Sequence, residues 1–406
     1  MPHVKVSMLQ KPKTAGFGGD PPGPRLDRYI TPQHVLYIVS FLQGLLVIIH
    51  LSLDIFIMAS ILKRASFSPV VTGAALLVLL KGPENIQRPV YDYLHQLLKP
   101  HNIERLITTL KWLFAYGLIK NVNEAINQLA RNNFSLRSSK ADWDWNNEVA
   151  IVTGGSSGFG ALFSKDLSQK GIHVVAIDVN PLPSYLENNP KISFFKCDVT
   201  DVEAVNTVAA EIKSKIGHPS ILINNAGIGG QRPILQTKPE QLKKLMGVNL
   251  FAHYYLVQAF LPNMLENRKG HIISIASMAS FFTTPGITDY SCSKAAVLAF
   301  NEGLSTELRT VHRCPEIKTT VVHPFFADTP IIAAGKAELQ KAGAKILDPQ
   351  DISDAVVDQI LNARSGQILL SNGFGPAMRA FRGLPWWLQE GFKRLTESDL
   401  SHYLKK

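Results

Sequence analysis

The chain is poor in charge, in cysteine and in metal-binding patterns. Only 18% of its 406 residues are charged, against roughly 25% in an average soluble domain, while 46% are hydrophobic. Its three cysteines, Cys197, Cys292 and Cys314, never form a Cys-x-x-Cys pair, which argues against a disulfide framework and against a zinc site. We therefore expect no metal, a reducing compartment and a buried apolar environment for Cys292.

Nucleic-acid patterns are absent as well, although the formal net charge is +10. A basic balance of this size suits an anionic surface, which is either a lipid membrane or nucleic acid. The chain has no zinc spacing, no recognition-helix pattern and no basic strand interleaved with aromatic residues. We therefore expect membrane lipid as a partner and no nucleic acid.

A long apolar run occupies residues 31–62. The window 35–53 carries no formal charge, which meets the ~20-residue length of a spanning helix. Asp54 argues against one long span, and basic residues on both flanks favour a hairpin with the shorter apolar run at 70–80. A buried helix pair is the alternative. The sequence predicts a retained membrane anchor at the endoplasmic reticulum or lipid droplet, with the catalytic domain facing the cytosol.

The remaining patterning predicts five segments. A basic segment (1–30) precedes the anchor (31–82), and an amphipathic helical linker (83–146) follows it. A catalytic domain (147–371) and an amphipathic tail (372–406) complete the chain. The linker helix either lies on a bilayer or packs on the catalytic domain, and the paired Trp386 and Trp387 with nearby cations favour an interfacial tail.

Seven short apolar runs alternate with helix-patterned stretches after residue 148. They read VAIVTG, IHVVAID, ISFFKCDV, ILINNAG, GHIISIAS, TTVVHP and QILLS. Such alternation predicts a mainly parallel sheet covered on both faces. The predicted fold class is α/β, a Rossmann-like doubly wound parallel sheet of seven strands preceded by an α-helical membrane-anchor extension.

The first of these strands runs into a glycine turn, TGGSSGFG, at residues 153–160. Glycines let the backbone approach a pyrophosphate, and the start of the following helix offers unpaired N–H groups. Asp178 ends the second strand, where a carboxylate accepts hydrogen bonds from ribose hydroxyls and repels a 2′-phosphate. NAD is therefore preferred, and NADP stays open. The predicted contacts in the turn are Gly154, Ser156, Ser157, Gly158, Phe159 and Gly160.

Tyr290 and Lys294 lie four residues apart, so on a helix they share one face. An unperturbed tyrosine holds its proton to about pH 10, and a nearby cation stabilises the phenolate. We therefore expect Lys294 to lower the pKa of Tyr290 toward the range that suits a general acid or base.

In chain order, the glycine turn, Asp178, NNAG at 224–227, Asn249, Ser277 thirteen residues before Tyr290, Lys294 and the segment 324–329 resemble the short-chain dehydrogenase/reductase superfamily. The resemblance implies that Tyr290 donates and accepts the proton, Ser277 binds the substrate oxygen and Asn249 holds a water. The implied catalytic set is Asn249, Ser277, Tyr290 and Lys294. The further implied coenzyme contacts are Asp198, Val199, Asn225, Ala226, Gly227, Tyr290, Lys294, Pro324 and Thr329. Where many members have Pro-Gly, this chain has Pro324-Phe325.

Residues 252–280 are similar to membrane-associated hydroxysteroid and retinol dehydrogenases. This implies NAD(P)-dependent interconversion of a lipophilic alcohol and its ketone or aldehyde, and raises a homodimer as a partner. Phe281, Phe282, Phe325 and Phe326 flank the expected site, and the apolar stretch 330–347 is expected to cover it. Two alternatives stay open: an NADPH-dependent reductase of a ketoacyl or sphingoid ketone, and a catalytically silent, coenzyme-binding lipid-droplet scaffold.

Overall fold

The computed structural model describes residues 67–134, 139–230, 232–341, 343–371 and 375–400. The chain divides into two compact units, Met1–Glu124 and Ala125–Lys406, and each is described by itself. The apolar run predicted at residues 31–62 lies outside the described residues.

The described part of the first unit is helical. It contains α1 (Pro69–Lys81), α2 (Glu84–Leu97) and most of α3 (Pro100–Arg131). Proline occupies the first turn of α1, where its missing N–H costs no helical hydrogen bond. Gly117 of α3 lets that helix approach the start of α1 closely, since a Cβ there would lie 2.7 Å from the Phe67 carbonyl oxygen.

The structure contradicts the predicted membrane localisation, which placed the chain at the endoplasmic reticulum or lipid droplet with a cytosolic catalytic domain. Among the described residues, none of the helices combines the length and the apolar character that crossing a bilayer requires. Helix α1 is apolar but has only 13 residues, and the run 70–80 lies within it. Helix α3 has 32 residues but carries Glu104, Arg105, Lys111, Lys120 and Glu124. The anchor extension is therefore not seen in the described chain.

The second unit is built on a parallel sheet of seven strands. The strands are β1 (Val149–Thr153), β2 (His173–Asp178), β3 (Ile192–Lys196), β4 (Ile221–Asn224), β5 (His271–Ile275), β6 (Lys318–Pro324) and β7 (Gly366–Leu370). Their order is β3-β2-β1-β4-β5-β6-β7, with every pairing parallel. All strand ends therefore share one edge, called here the carboxyl edge, and all strand starts share the opposite amino edge. The predicted seven-stranded parallel sheet is confirmed.

Helices cover both faces of this sheet. The helices that follow α3 are α4 (Gly158–Gln169), α5 (Ser184–Glu187), α6 (Val202–Lys215), α7 (Pro239–Met246), α8 (Ala252–Glu266), α9 (Thr288–Thr310), α10 (Lys336–Lys341), α11 (Pro349–Leu361), α12 (Gly375–Ala380) and α13 (Trp386–Leu400). Helices α4 and α11 bury Phe163 and Ile352 on one face. Helices α6 and α8 bury Ile212 and Phe260 on the other. Strands covered on both sides must be apolar throughout, which explains the continuous hydrophobic runs.

The cysteines are only partly as expected. All three thiols are free, and Cys197 and Cys314 are buried. Cys292, for which the sequence predicted a buried environment, is exposed, because on α9 the inward positions near it belong to Ser291, Ser293 and Lys294.

Candidate active site

The glycine turn connects β1 to α4 at the carboxyl edge. Gly154 adopts a φ of +65°, a conformation that favours glycine, and its N–H donates to the Ile177 carbonyl at 2.8 Å. A Cβ at Gly160 would lie 2.0 Å from the Gly154 carbonyl oxygen, so only glycine allows α4 to start this close to the turn. Ser157 makes no side-chain capping bond. The start of α4 thus presents backbone donors without a side-chain cap, as phosphate binding requires.

Asp178 lies beside this turn at the end of β2. Its carboxylate accepts from the backbone N–H of Ser156 at 3.1 Å and from that of Asn180 at 2.9 Å. These bonds fix the carboxylate next to the turn, where the adenosine ribose of a dinucleotide is expected. Asp198 is exposed, and its carboxylate accepts from Thr200, whereas Val199 is buried.

Asn225 ties the end of β4 to the glycine turn. Its side-chain amide donates to the Thr153 carbonyl at 2.8 Å. The Thr153 hydroxyl in turn accepts from the backbone N–H groups of Asn225 and Ala226, both at 3.0 Å. The loop after β4 is therefore held against the turn after β1, which brings two separately predicted motifs into one site.

Asn249, Gly227 and Lys294 converge on one point. Asn249 is fully buried in a π-helical turn (Gly247–Phe251), and its amide bonds both backbone groups of Ile228 and the Ser293 hydroxyl at 2.8–3.0 Å. A Cβ on Gly227 would lie 3.5 Å from the Lys294 Nζ and 3.6 Å from the Asn249 Oδ1. Lys294 donates to the Ile275 carbonyl at 2.8 Å. Burial lowers the pKa of Lys294 to about 8, because desolvation disfavours the charged form.

Tyr290 lies one helical turn before Lys294 on α9, and the Lys294 Nζ is 5.7 Å from the centre of its ring. Burial raises the pKa of Tyr290, and a hydrogen bond with the Ser277 side chain opposes that rise. The pKa of Tyr290 is thus raised, whereas the Tyr-Lys spacing predicted that it would be lowered. The reason is that desolvation of the phenolate has a larger effect than the hydrogen bond with Ser277. The phenol is therefore protonated at neutral pH and able to donate.

The loop after β6 reaches back over the glycine turn. Pro324 ends β6, and the Phe325 N–H donates to the Leu370 carbonyl at 2.9 Å. The Thr329 side chain lies near Gly158, since a Cβ there would be 3.7 Å from it. With Pro324-Phe325 where many members have Pro-Gly, the Thr329 side chain lies beside the glycine turn.

The structure also brings in residues that the sequence motifs did not single out. His323, next to Pro324, contacts the Ser277 carbonyl, and Ser293 links Asn249 to the Tyr290 carbonyl. The carboxy-terminal segment is part of the same region: Arg382 donates to the Phe281 carbonyl at 3.0 Å, and Phe282 contacts Phe381 and Phe392. The sequence held one signal that could have indicated His323: it is the lone histidine in the apolar run TTVVHP.

The chain is similar in sequence and fold to known proteins. A family model for short chain dehydrogenases matches residues 148–340. Dehydrogenase RED2 of Cochliobolus heterostrophus is 38% identical over 197 residues, which are 48% of this chain and 73% of that relative. The chain belongs to the short-chain dehydrogenase family. This membership confirms the resemblance inferred from the motifs, and makes the chain an NAD(P)-dependent oxidoreductase with a nicotinamide coenzyme.

Other short-chain dehydrogenases match over similar ranges. Retinol dehydrogenase 10-B of Danio rerio is 33% identical over 221 residues, and the match covers 48% of this chain and 66% of that protein. The chain thus spans slightly less than two thirds of that relative. Among solved structures, a 4-hydroxyisoleucine dehydrogenase complexed with NADH has a TM-score of 0.52 at 23% identity, covering 56% of this chain and 99% of the other. A 3-ketoacyl-(acyl-carrier-protein) reductase from Brucella melitensis, complexed with NADH, has a TM-score of 0.51 at 23% identity, covering 57% and 99%. These two likenesses show the fold.

Proposed function

We propose that this short-chain dehydrogenase interconverts a lipophilic alcohol and its ketone or aldehyde, with Tyr290 as the proton donor and acceptor. Two observations at the carboxyl edge support the proposal. Tyr290 shares a hydrogen bond with the Ser277 side chain, and Lys294 and Asn249 both lie next to Gly227. A bound nicotinamide supplies the hydride chemistry. Ser277 orients the substrate oxygen toward the phenol, and Tyr290 moves the proton at that oxygen.

The coenzyme site fits a dinucleotide, because the glycine turn lets the backbone approach closely and the start of α4 offers backbone donors. Gly154, Ser156, Ser157, Gly158, Phe159 and Gly160 would hold the pyrophosphate, and Asp178 the adenosine ribose. The further contacts would be Asp198, Val199, Asn225, Ala226, Gly227, Tyr290, Lys294, Pro324 and Thr329.

A lipophilic substrate is supported by the side chains around Ser277. Met278 and Phe281 are buried together with Met378, and Phe282 and Phe325 pack against them. Relatives named as retinol dehydrogenases support the same class. Purified full-length chain should turn over retinol, a sterol or a long-chain alcohol with NAD, measured as NADH formed. Turnover of small polar sugars alone would overturn the substrate class, and absence of NADH formation with Tyr290→Phe serves as the control.

NAD is the proposed coenzyme, because the Asp178 carboxylate faces the ribose position and carries no described ion pair with a cation there. We expect NADH to bind more tightly than NADPH by about tenfold or more, the effect of one charge-assisted hydrogen bond. Asp178→Ser should reduce the difference between NADH and NADPH affinity. Tighter binding of NADPH by the unmodified chain would favour instead a reductase of a ketoacyl or sphingoid ketone.

A further inference from the structure

His323 lies beside the proposed active site although none of the motifs includes it. It occupies the carboxyl end of β6, is 0% exposed, and its Nδ1 is 3.1 Å from the carbonyl oxygen of Ser277. A carbonyl oxygen can only accept, so Nδ1 must carry the hydrogen. The hydrogen bond therefore defines which tautomer the ring adopts.

The surroundings of the ring keep it neutral. Burial is the main reason that the pKa of His323 falls to about 4, and Nε2 is buried without a partner in the described chain. The ring lies against Phe281, with 4.6 Å between ring centres. A neutral imidazole protonated at Nδ1 has its remaining nitrogen as an acceptor only.

The Ser277 main chain is held from two sides. Its carbonyl accepts from the Ser280 N–H at 2.9 Å as well as from His323, and its hydroxyl accepts from the Ala279 N–H at 3.2 Å. We propose that His323 is a positioning residue, which fixes the Ser277 main chain through Nδ1–H and thereby the hydroxyl that faces Tyr290. This inference rests on the proposed role of Ser277.

His271 offers a matched control. It is equally buried, burial lowers the pKa of its imidazole to about 3, and its Nε2 lies 2.9 Å from the Thr320 hydroxyl. It also has one buried ring nitrogen without a partner in the described part. His271 begins β5 and so lies at the amino edge, away from Ser277. A histidine that matters only for packing should behave like His271.

The first experiment compares His323→Leu, His323→Asn and His271→Asn in the full chain. It measures NADH formed from retinol and NAD. Loss of the Nδ1–H bond should lower kcat by about tenfold, the effect of one hydrogen bond on the barrier, while KM and NADH affinity stay within about twofold. His323→Asn should recover most of that kcat, because its amide can donate to the same carbonyl. His271→Asn should lower Tm and leave kcat unchanged. Unchanged kcat in His323→Leu, or no recovery in His323→Asn, would overturn the inference.

A second measurement does not depend on any substrate. Nitrogen-15 spectra of histidine-labelled chain, assigned by the signal lost in His323→Asn, should show a neutral ring protonated at Nδ1. A ring protonated at Nε2 would overturn the inference. If the unmodified chain fails to oxidise retinol, the proposed substrate fails, and the tautomer still decides the role of His323.

Discussion

The two edges of the sheet treat buried polar groups differently. At the amino edge, Glu148 precedes β1 and is 5% exposed, yet its carboxylate bonds Lys269, the Ser220 hydroxyl and the Asp144 N–H. Lys269 also lies 5.0 Å from the centre of the Trp143 ring. A buried charge with this many partners is stable only while all of them are present.

At the carboxyl edge, buried polar groups are left without partners among the described residues. The Asn224 amide at the end of β4, the Ser291 hydroxyl beside Tyr290 and the His323 Nε2 are examples. The same edge carries glycines at close approach to neighbouring backbone. Unpaired buried groups cost stability, and the amino edge has one too, the His271 Nδ1. The two edges differ in their buried charge and their glycines: the amino edge pairs a buried carboxylate with three partners, whereas the carboxyl edge gathers unpaired polar groups around a glycine turn.

The largest expected effect lies at the carboxyl edge. Tyr290→Phe removes the proton donor while keeping the ring, so kcat should fall by about 10²–10⁴-fold with NADH affinity and Tm nearly unchanged. A turnover assay measures kcat, calorimetric titration measures NADH affinity, and thermal unfolding measures Tm. Appreciable turnover in this variant would contradict the assignment of Tyr290.

Removing the buried carboxylate at the amino edge should lower stability and leave kcat unchanged. Glu148→Ala leaves the Lys269 ammonium without its buried partner, so unfolding free energy should fall by about 3 kcal/mol, near the low end for a buried pair because Lys269 is partly exposed. Denaturant unfolding measures this.

The control is Glu316→Ala, which removes the exposed Arg268–Glu316 pair (2.8 Å). Exposed pairs contribute up to about 1 kcal/mol. If Glu148→Ala and Glu316→Ala lose equal unfolding free energy, the buried carboxylate at the amino edge contributes no more stability than an exposed ion pair.

Acid should weaken both edges. Burial is the main reason that the pKa values of His253 and His271 fall to about 3 and that of His323 to about 4. Because the folded chain binds these protons less readily than the unfolded chain, stability is present above the usual histidine pKa and is lost as pH falls from about 6.5 toward 4.

At pH 5 the loss should be about 2 kcal/mol for each histidine. Tm measured at pH 7 and pH 5 tests this, and His271→Asn should reduce the drop. A Tm that does not change between these pH values would show that burial does not lower the pKa values of these rings in the folded chain.

Two glycines give a further contrast between the binding turn and an open helix surface. Gly160→Ala places a Cβ against the Gly154 carbonyl, which should cost about 1–3 kcal/mol of stability and weaken NADH binding. Gly303→Ala, on α9 with open space around it, should instead stabilise by about 1 kcal/mol. Thermal unfolding and NADH titration of both variants measure the contrast, and equal NADH affinity in the two would argue against a special role for the turn.

Much of the site follows from local patterns. Tyr290 and Lys294 share a helix, and the glycine turn follows its strand directly, so their spacing, together with the order of the surrounding motifs, indicated both. The direction of the Tyr290 pKa did not follow, because it depends on how deeply the fold buries the ring. The membrane prediction was wrong for the described helices. An apolar run indicates that the segment is buried, but it does not decide whether lipid or protein buries it.

The sequence by itself determined the strands, the glycine turn and the chemical groups available for acid-base work, since each depends on residues close together in the chain. Only the tertiary structure decided which distant groups meet: His323 with Ser277 across 46 residues, and Glu148 with Lys269 across 121. The physical reason is strand order. Placing β4 between β1 and β5 brings the starts of β1 and β5 close together, and placing β5 beside β6 brings their ends together, and no local spacing records these contacts.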